Sequence, residues 1–213
     1  MTKQEGTITK IKKQKNNQQR CSIFVDGQFL LGIDAKLVYE YKLSKGQKLT
    51  EELLEQLLVE EELGKAKQAA FKLLSYRQRS RQELKNRLAK KGFNGQVINR
   101  VIKILDRLDY IDDREFAGSW IRDRITRGFG PYKVRRQLQE KGISKEIIEE
   151  EIDKEYNFEL EYQLAFKLAN KKKARYCSLS TWEKKGKLKQ VLKRKGFSFQ
   201  VIDLVLEDLV GED

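Results

Sequence analysis

The acidic cluster Asp109, Asp112 and Asp113 is the one group of carboxylates whose spacing suggests catalysis. Two or three neighbouring carboxylates can hold Mg²⁺ for phosphoryl chemistry, so the cluster is compatible with a metal-dependent nuclease. A second interpretation needs no metal, because Asp112 or Asp113 stands just before the run Phe116–Trp120, where a helix needs an N-cap. We favour the cap and keep the nuclease as an alternative.

Other residues that commonly do chemistry are absent or poorly placed. The chain has no histidine, which removes the commonest general base and the commonest zinc ligand. The run Gly128-Phe-Gly130-Pro matches no phosphate-binding fingerprint and is typical of a turn. Cys21 and Cys177 lie far apart in the sequence, and we expect two free thiols. The sequence therefore predicts a protein that is not an enzyme and has no cofactor or metal.

The basic residues carry more information. The formal net charge of +13 indicates a polyanionic partner, with nucleic acid as the first candidate. From Lys167 to Lys195 the chain has twelve cations and one acidic residue. Lys185, Lys189 and Lys193 are spaced four apart, and like charges at that spacing destabilise a helix by a few tenths of a kcal/mol per pair. We infer that a polyanion offsets this repulsion.

The candidate residues for binding nucleic acid or a nucleoprotein filament are the basic side chains of three related segments. They are Arg77, Arg79, Arg81, Lys85, Arg124, Arg127, Lys133, Arg135, Arg136, Lys171, Lys172, Lys173, Arg175, Lys184, Lys185, Lys187, Lys189, Lys193, Arg194 and Lys195. Arginine can bind phosphate or carboxylate through two parallel hydrogen bonds, so these residues do not choose between DNA and protein. Any one of them alone is typical of a solvated face, whereas the dense group of the third segment favours binding.

Four aromatic residues accompany these cations and could stack on nucleobases, namely Trp120, Phe129, Tyr132 and Trp182. For Trp120 and Trp182 we favour the simpler interpretation, in which both indoles pack in helical cores.

The elements that position these residues are predicted from a phrase that occurs three times. Each copy has an apolar residue, a leucine four positions later, and then a lysine, a glycine and an apolar residue. The three copies end at Lys91-Gly92-Phe93, Lys141-Gly142-Ile143 and Lys195-Gly196-Phe197. A glycine after a basic last turn ends a helix in the left-handed conformation. Apolar residues follow each copy at matching spacing: Val97, Ile98, Ile102, Ile147, Ile148, Ile152, Val201, Ile202 and Leu206. Each unit is therefore predicted to be a repeat of three helices and about 50 residues.

The starts of the helices that end at these glycines are also marked. Ser80 and Glu83 have the spacing of a capping box, as do Ser180 and Glu183. In the second copy, Pro131 occupies the first helical position, where its missing N–H costs nothing.

Residues 1–33 have a different pattern. Asp26-Gly27 between two apolar runs predicts a hairpin, and residues 6–13 suit a third strand. A short helix is expected over residues 33–41. Thr50 then caps an acidic helix predicted over residues 51–63. Its glutamates at 60–62 favour a solvated face, with an internal contact to the basic repeats as the alternative.

The predicted fold is mainly α, with tandem three-helix repeats in an elongated array and a small N-terminal β-hairpin or three-stranded sheet. The predicted boundaries are 1–49 for the β-rich extension with its short helix, 50–63 for the acidic helix, and 64–110, 111–156 and 157–213 for the three repeats. The sequence has no apolar run of membrane-spanning length and no signal-peptide pattern, so we expect a cytoplasmic protein.

Three runs of the sequence together resemble the RecX family of regulatory proteins, which modulate the RecA recombinase. The runs are Arg77-x-Arg-Ser80-x-x-Glu-Leu84-x-x-x-Leu88-x-x-Lys-Gly92-Phe93, Leu105-x-x-Leu108-x-Tyr110-Ile-Asp112-Asp113-x-x-Phe116-Ala117 and Arg124-x-x-x-Gly128-x-Gly130-x-x-x-Val134-x-x-x-Leu138-x-x-Lys141-Gly142-Ile143. The similarity spans about residues 60–210. The N-terminal hairpin and acidic helix resemble the extension of longer family members from Gram-positive bacteria.

The resemblance implies a curved body of three-helix repeats that lies in the groove of a RecA filament on single-stranded DNA. It implies inhibition of ATP hydrolysis and strand exchange without catalysis by the regulator. The partners expected from it are the RecA filament and single-stranded DNA, bound directly or within the filament, with the regulator a monomer and no membrane involved. The alternative is an independent DNA-binding protein that acts on naked DNA.

Overall fold

The computed structural model of the chain describes residues 6–210. The four strands are β1 (Gly6–Lys13), β2 (Arg20–Val25), β3 (Gln28–Asp34) and β4 (Lys48–Leu49). The helices are α1 (Ala35–Glu40), α2 (Glu51–Tyr76), α3 (Arg81–Ala89), α4 (Gly95–Arg107), α5 (Asp113–Thr126), α6 (Pro131–Glu140), α7 (Lys145–Glu155), α8 (Phe158–Lys173), α9 (Thr181–Lys195) and α10 (Phe199–Leu209), with a short 3-10 helix at Ala174–Tyr176. The described residues form two compact units, 6–77 with 84–108 and 78–83 with 109–210.

The first unit contains an antiparallel sheet with strand order β3-β2-β1-β4. Asp26 and Gly27 connect β2 to β3 with positive φ angles of 49° and 84°, as the tight hairpin turn predicted from Asp-Gly requires. The predicted third strand is β1. The fourth strand, β4, was not predicted, because two residues carry no alternating pattern. Ile8 and Ile23 are buried under the sheet together with Leu57 of α2.

Helix α2 joins two segments that the sequence analysis treated separately. Thr50 caps it as predicted and accepts a 3.2 Å hydrogen bond from the backbone of Leu53. The helix does not end at residue 63 but passes through Gly64 to Tyr76. A glycine inside a helix costs about 1 kcal/mol relative to alanine. The helix nevertheless continues, and Ala66 and Ala70 beyond the glycine are buried.

The favoured interpretation of the glutamates at 60–62 as a solvated face is wrong. Glu61 is only 6% exposed and lies 2.7 Å from the guanidinium of Arg20 and 3.2 Å from the ammonium of Lys65. It also accepts a 2.8 Å hydrogen bond from the backbone of Asp34. The neighbouring Glu60 pairs with Arg100 of α4 at 2.7 Å. These carboxylates therefore join α2 to the sheet and to α4.

The second unit holds the helices α5 to α10. One apolar core forms among α5, α6 and α7 around Phe116, Leu138 and Ile148, and another among α8, α9 and α10 around Leu192 and Val201. Of the apolar positions predicted at matching spacing, eight are buried: Val97, Ile98, Ile102, Ile148, Ile152, Val201, Ile202 and Leu206. The helical periodicity of these segments is thus confirmed.

The Lys-Gly turn of the second repeat packs on the start of α3. The hydroxyl of Ser80 donates a 2.7 Å hydrogen bond to the carbonyl of Lys141, whose ammonium pairs with Glu83 at 2.8 Å. A Cβ atom on Gly142 would lie only 2.4 Å from the Cβ of Gln82. The backbone of Glu83 donates a 3.1 Å hydrogen bond to the hydroxyl of Ser80, as the predicted capping box requires.

The Lys-Gly turn of the third repeat packs on the start of α6 in the same manner. The backbone of Gly130 donates to the carbonyl of Lys195 at 2.9 Å, and that of Tyr132 donates to the carbonyl of Gly196 at 3.0 Å. A Cβ on Gly196 would lie 2.3 Å from the backbone nitrogen of Lys133. We call this contact, of a Lys-Gly turn on the start of the preceding repeat's middle helix, the repeat junction.

We predict that alanine is tolerated unequally at the three phrase glycines. All three have positive φ, which costs a substituted residue about 1–2 kcal/mol. Gly92 has open space at its Cβ position, so Gly92→Ala should lose only this amount. Gly142→Ala and Gly196→Ala should lose about 1–3 kcal/mol more, because neighbouring atoms must move. Urea unfolding of the three variants measures the difference, and equal losses at all three positions would contradict the repeat junction.

We also predict that Glu61 makes stability depend on pH. Burial alone raises the pKa of Glu61, but hydrogen bonds from Asp34, Arg20 and Lys65 outweigh it and lower the pKa below 4.5. The ionised carboxylate therefore contributes stability that is fully present above pH 4.5 and is lost as the pH falls through the lower folded pKa.

Glu61→Gln should destabilise the protein at neutral pH by about 1–2 kcal/mol, since the charged hydrogen bonds are lost. The difference from the original protein should shrink in acid. The free energy of unfolding of both proteins, measured at neutral pH and in acid below pH 4.5, tests this. The control is Glu55→Gln, at an exposed position on the same helix. A difference that stays constant with pH would show that the charge of Glu61 does not contribute.

Candidate nucleic-acid interface

Six of the candidate cations come together where α6, α8 and α9 meet. We call them the basic cluster, and they are Lys133, Arg136, Lys172, Lys193, Arg194 and Lys195. Two of them lie three residues apart on α6, and the others lie in the last turns of α8 and α9. Cations are favoured at helix C-termini because they face the negative end of the helix dipole. The repeat junction then brings the last turn of α9 to the first turn of α6.

Two open depressions of the surface are lined by the basic cluster. The larger, of about 380 Å³, is lined by Tyr132, Arg136 and Gly196 among others. The smaller, of about 270 Å³, reaches Lys172. Lys133 and Arg194 line both depressions, so the two form one adjoining basic surface.

The basic cluster is poorly neutralised by the rest of the protein. Within residues 6–210, Arg136 is its one member with a carboxylate inside 4 Å, and that partner, Glu140, is exposed and 3.5 Å away. Partial burial lowers the pKa of Lys195, and repulsion from Lys133 and Lys172 lowers it further. A polyanion bound here would relieve this repulsion, which makes the surface suitable for phosphate groups.

Phe129 lies among three cations. Its ring centroid is 3.9 Å from the ammonium of Lys195, 5.1 Å from that of Lys133 and 5.8 Å from the guanidinium of Arg124. Each such contact is worth about 0.5–1 kcal/mol and offsets part of the repulsion among the cations. The buried phenol of Tyr156 donates a 2.8 Å hydrogen bond to the carbonyl of Phe129 and so holds the turn before α6 in place.

Two exposed aromatic rings lie beside the basic cluster. Tyr132 is 59% exposed with Arg135 at 5.4 Å from its ring, and Phe199 is 60% exposed with Lys193 at 5.5 Å. Exposed rings next to cations are what proteins use to stack and hold single-stranded nucleic acid. Phe199 was missed in the sequence analysis, because an apolar residue at a helix start does not differ in pattern from a core residue.

The two tryptophans have different environments. Trp120 packs as predicted, with its ring stacked on Phe116 at 5.9 Å and Arg124 lying 3.9 Å above it. The prediction that Trp182 packs in a core is wrong, since the residue is 83% exposed. Its place at the start of α9 corresponds to that of Tyr132 in α6, where the side chain faces outward from its own repeat.

Several candidate arginines are engaged inside the protein. Arg81 pairs with Asp113 at 3.2 Å, and Arg135 pairs with Glu149 at 2.8 Å. Arg127 pairs with an aspartate one turn earlier on α5 at 3.0 Å. Each of these carboxylates competes with a ligand for its arginine.

The other candidates are spread over both units. Arg77 and Lys85 belong to the first unit, whereas Arg79 is buried in the second. The candidates of α8, of the short 3-10 helix after it and of α9 that do not line the two depressions are Lys171, Lys173, Arg175, Lys184, Lys185, Lys187 and Lys189. Among these, Lys173 donates to the carbonyl of Leu209 at 2.5 Å and Lys189 pairs with Asp203 at 2.9 Å.

The acidic cluster serves the fold. Asp112 is the N-cap of α5 and accepts hydrogen bonds from the backbones of Arg114 and Glu115 at 2.7 and 3.1 Å. Asp113 accepts a 2.8 Å hydrogen bond from the backbone of Arg81. Among the described residues, no group of three acidic or thiol side chains is placed to hold a metal ion. The cap interpretation is confirmed.

The cysteines and the helix lengths agree with the sequence analysis. Cys21 is buried and Cys177 is exposed, and both are free thiols as predicted. Over residues 6–210, the helices are too short or too polar to cross a membrane.

Comparison with known proteins places each part of the chain beside the same family. Residues 6–50 match the model of the regulatory protein RecX N-terminal domain. Residues 66–105, 112–151 and 159–206 match the first, second and third three-helix domains of RecX.

Relatives and solved structures agree with these matches. The regulatory protein RecX of Bacillus licheniformis is 36% identical over 202 residues, which cover 94% of this chain and 76% of that protein. RecX of Bacillus subtilis is 34% identical over 97% of this chain and 78% of that protein. A crystal structure of regulatory protein RecX has a TM-score of 0.77 and 27% identity, covering 94% of this chain and 98% of that one. The structure of RecX from Lactobacillus salivarius has a TM-score of 0.64 and 32% identity over 70% and 96% of the two chains.

Proposed function

This chain belongs to the RecX family of regulatory proteins, and we propose that it is a negative regulator of homologous recombination that binds RecA filaments on single-stranded DNA. It lowers their ATP hydrolysis and strand exchange and does no chemistry itself. The observation that supports this most is the basic cluster, whose cations are poorly neutralised and lie beside exposed aromatic rings. The protein acts in the cytoplasm, without a cofactor, and is a monomer when free in dilute solution.

Binding at the basic cluster is driven by the release of counterions from phosphates. On a single strand, the logarithm of affinity falls with the logarithm of salt concentration by about 0.7 for each phosphate neutralised. If all six cations of the cluster reach phosphates, the slope approaches about −4. Stacking of a base on an aromatic ring adds about 1–3 kcal/mol and does not depend strongly on base identity. Such a surface suits the single-stranded DNA of a recombination filament, whose sequence varies.

The remaining cations of α8 and α9 extend this binding to the filament. Lys184, Lys185 and Lys187 lie on α9, and Lys171 and Arg175 lie at and just after the end of α8. They can bind phosphate, or carboxylates on the recombinase itself. The alternative function, binding to naked DNA alone, uses the same basic cluster and differs in not requiring the recombinase.

ATP hydrolysis by RecA on single-stranded DNA, measured against rising amounts of this protein, tests the proposal. A matched titration onto bare single-stranded DNA gives the amount needed to cover it. We expect inhibition well below that amount, which means that the filament is recognised. Inhibition only at DNA-covering amounts would overturn the proposal in favour of the alternative.

We predict that neutralising two cations of the cluster weakens binding through fewer phosphate contacts. The double variant Lys193→Gln with Arg194→Gln should reduce the salt slope on single-stranded DNA by about 1.4, which is two contacts at about 0.7 each. Fluorescence anisotropy at several salt concentrations measures it. The matched control is Lys12→Gln with Lys13→Gln, which removes the same charge from exposed positions on β1. Equal slopes for the two double variants would place binding elsewhere.

We predict that the exposed rings favour single strands over duplex. Tyr132→Ala and Phe199→Ala should each weaken binding of a single strand by about 1–3 kcal/mol, because a stacked base is lost. Duplex binding should change little, since its bases are already stacked. Tyr132→Phe and Phe199→Tyr keep the rings and should bind normally. A similar loss on duplex DNA, or no loss on the single strand, would show that the rings do not stack on bases.

A further inference from the structure

The repeat junction is formed twice, although the described residues contain the parts for a third. Each junction needs a Lys-Gly turn and the start of a middle helix. The turns at Lys141 and Lys195 dock on the starts of α3 and α6. The turn at Lys91-Gly92 and the start of α9 remain without such a contact in residues 6–210.

The turn at Lys91-Gly92 already has the docking conformation. Gly92 has a φ of 87°, like the 74° of Gly142 and the 87° of Gly196. At Gly142 and Gly196 a Cβ would lie within 2.4 Å of the neighbouring repeat, whereas at Gly92 no atom lies within 4 Å of that position. Lys91 is exposed beside it. The turn half of a third repeat junction is therefore formed, and its docking surface at Gly92 is uncovered.

The start of α9 repeats the residues that receive a turn in the first junction. Ser180 and Glu183 have the types and spacing of Ser80 and Glu83, which bind the carbonyl and ammonium of Lys141. In the absence of a turn, the Ser180 hydroxyl and backbone donate to Glu183 at 2.7 and 3.0 Å. The hydroxyl and the carboxylate of the second half are thus held in place at the start of α9.

Trp182 gives independent support for a contact at this surface. It occupies the position of Gln82 in α3, whose side chain covers Gly142. Trp182 is 83% exposed, although tryptophan is among the residues most enriched in the energetic centres of protein interfaces. Terminal repeats of helical arrays usually present a polar outer face, and an exposed indole departs from that pattern.

We infer that the start of α9 in one copy docks the Lys91-Gly92 turn of a second copy, so that copies associate head to tail. The ammonium of Lys91 pairs with Glu183, as Lys141 pairs with Glu83, and the ring of Trp182 covers Gly92. The two surfaces differ, so the contact is heterologous and each added copy leaves one of each surface open. The contact is small and therefore weak between free monomers. It becomes effective when copies are held side by side on a polymer.

Sedimentation velocity of the full chain without DNA or recombinase tests the inference, and its failure would leave the proposed function untouched. At about 0.1 mM protein, association with a dissociation constant near 10⁻⁴ M is visible as a rise of the sedimentation coefficient with concentration. We expect this rise to continue beyond the value of a dimer. Absence of any rise, or a plateau at a dimer, would overturn the inference.

Gly92→Asn is the selective variant. Asparagine tolerates the left-handed conformation, so the fold is kept, but its Cβ occupies the space that the neighbouring copy needs. The rise should disappear in Gly92→Asn and persist in Gly46→Asn, where the φ is 91° and the Cβ position is also open. Trp182→Ala should reduce the association constant by about 30-fold or more. Association unchanged in Gly92→Asn would overturn the inference.

A charge exchange identifies the pair of surfaces. Lys91→Glu alone and Glu183→Lys alone should each weaken association, because like charges then meet at the contact. Mixing the two variants should restore association, because opposite charges then meet wherever a copy of one variant docks on a copy of the other. No recovery in the mixture would overturn the assignment of Lys91 to Glu183.

Discussion

At Gly196 the backbone turns left-handed, and the carbonyl oxygen of this residue accepts a hydrogen bond from the backbone of Tyr132. The approach is so close that a single methyl group would collide with the backbone of Lys133. This contact, repeated at Gly142, fixes where one repeat meets the next in the second unit. The positions of the last turn of α9 and the first turn of α6 follow from it. Those two turns carry four of the six cations of the basic cluster, namely Lys133, Lys193, Arg194 and Lys195.

The same contact explains how poorly neutralised cations can be held close together. Lys133 and Lys195 are brought together by main-chain hydrogen bonds, which do not depend on side-chain charge. Burial lowers the pKa of Lys195 most, and repulsion from Lys133 lowers it further. The ring of Phe129, which contacts both ammonium groups, offsets part of this repulsion. The fold thus holds like charges together with energy drawn from packing and backbone hydrogen bonds. A phosphate backbone is the ligand that such an arrangement favours.

Local signals in the sequence predicted local structure. Asp26-Gly27 indicated the hairpin, Thr50 and Asp112 the caps, and the phrase glycines the helix ends, because each depends on a few adjacent residues. Features set by distant residues were missed or misjudged. Glu61 is buried because Arg20 of β2 lies opposite it, and no periodicity within α2 shows that. The candidate cations were found as a set, but α6, α8 and α9 had to be packed before six of them formed one surface.

The repeat junction uses the carbonyl oxygens of its lysines, and this leaves their side chains available for different tasks. The ammonium of Lys141 pairs with Glu83, whereas that of Lys195, at the corresponding position, lies over Phe129 in the basic cluster. Any residue except proline could supply the carbonyl and still leave the backbone flexible enough to form the turn. Duplicated repeats can therefore diverge in what they recognise while the stacking between them is inherited unchanged. Backbone hydrogen bonds at these turns maintain the stacking of the repeats, so the lysine side chains can serve different contacts.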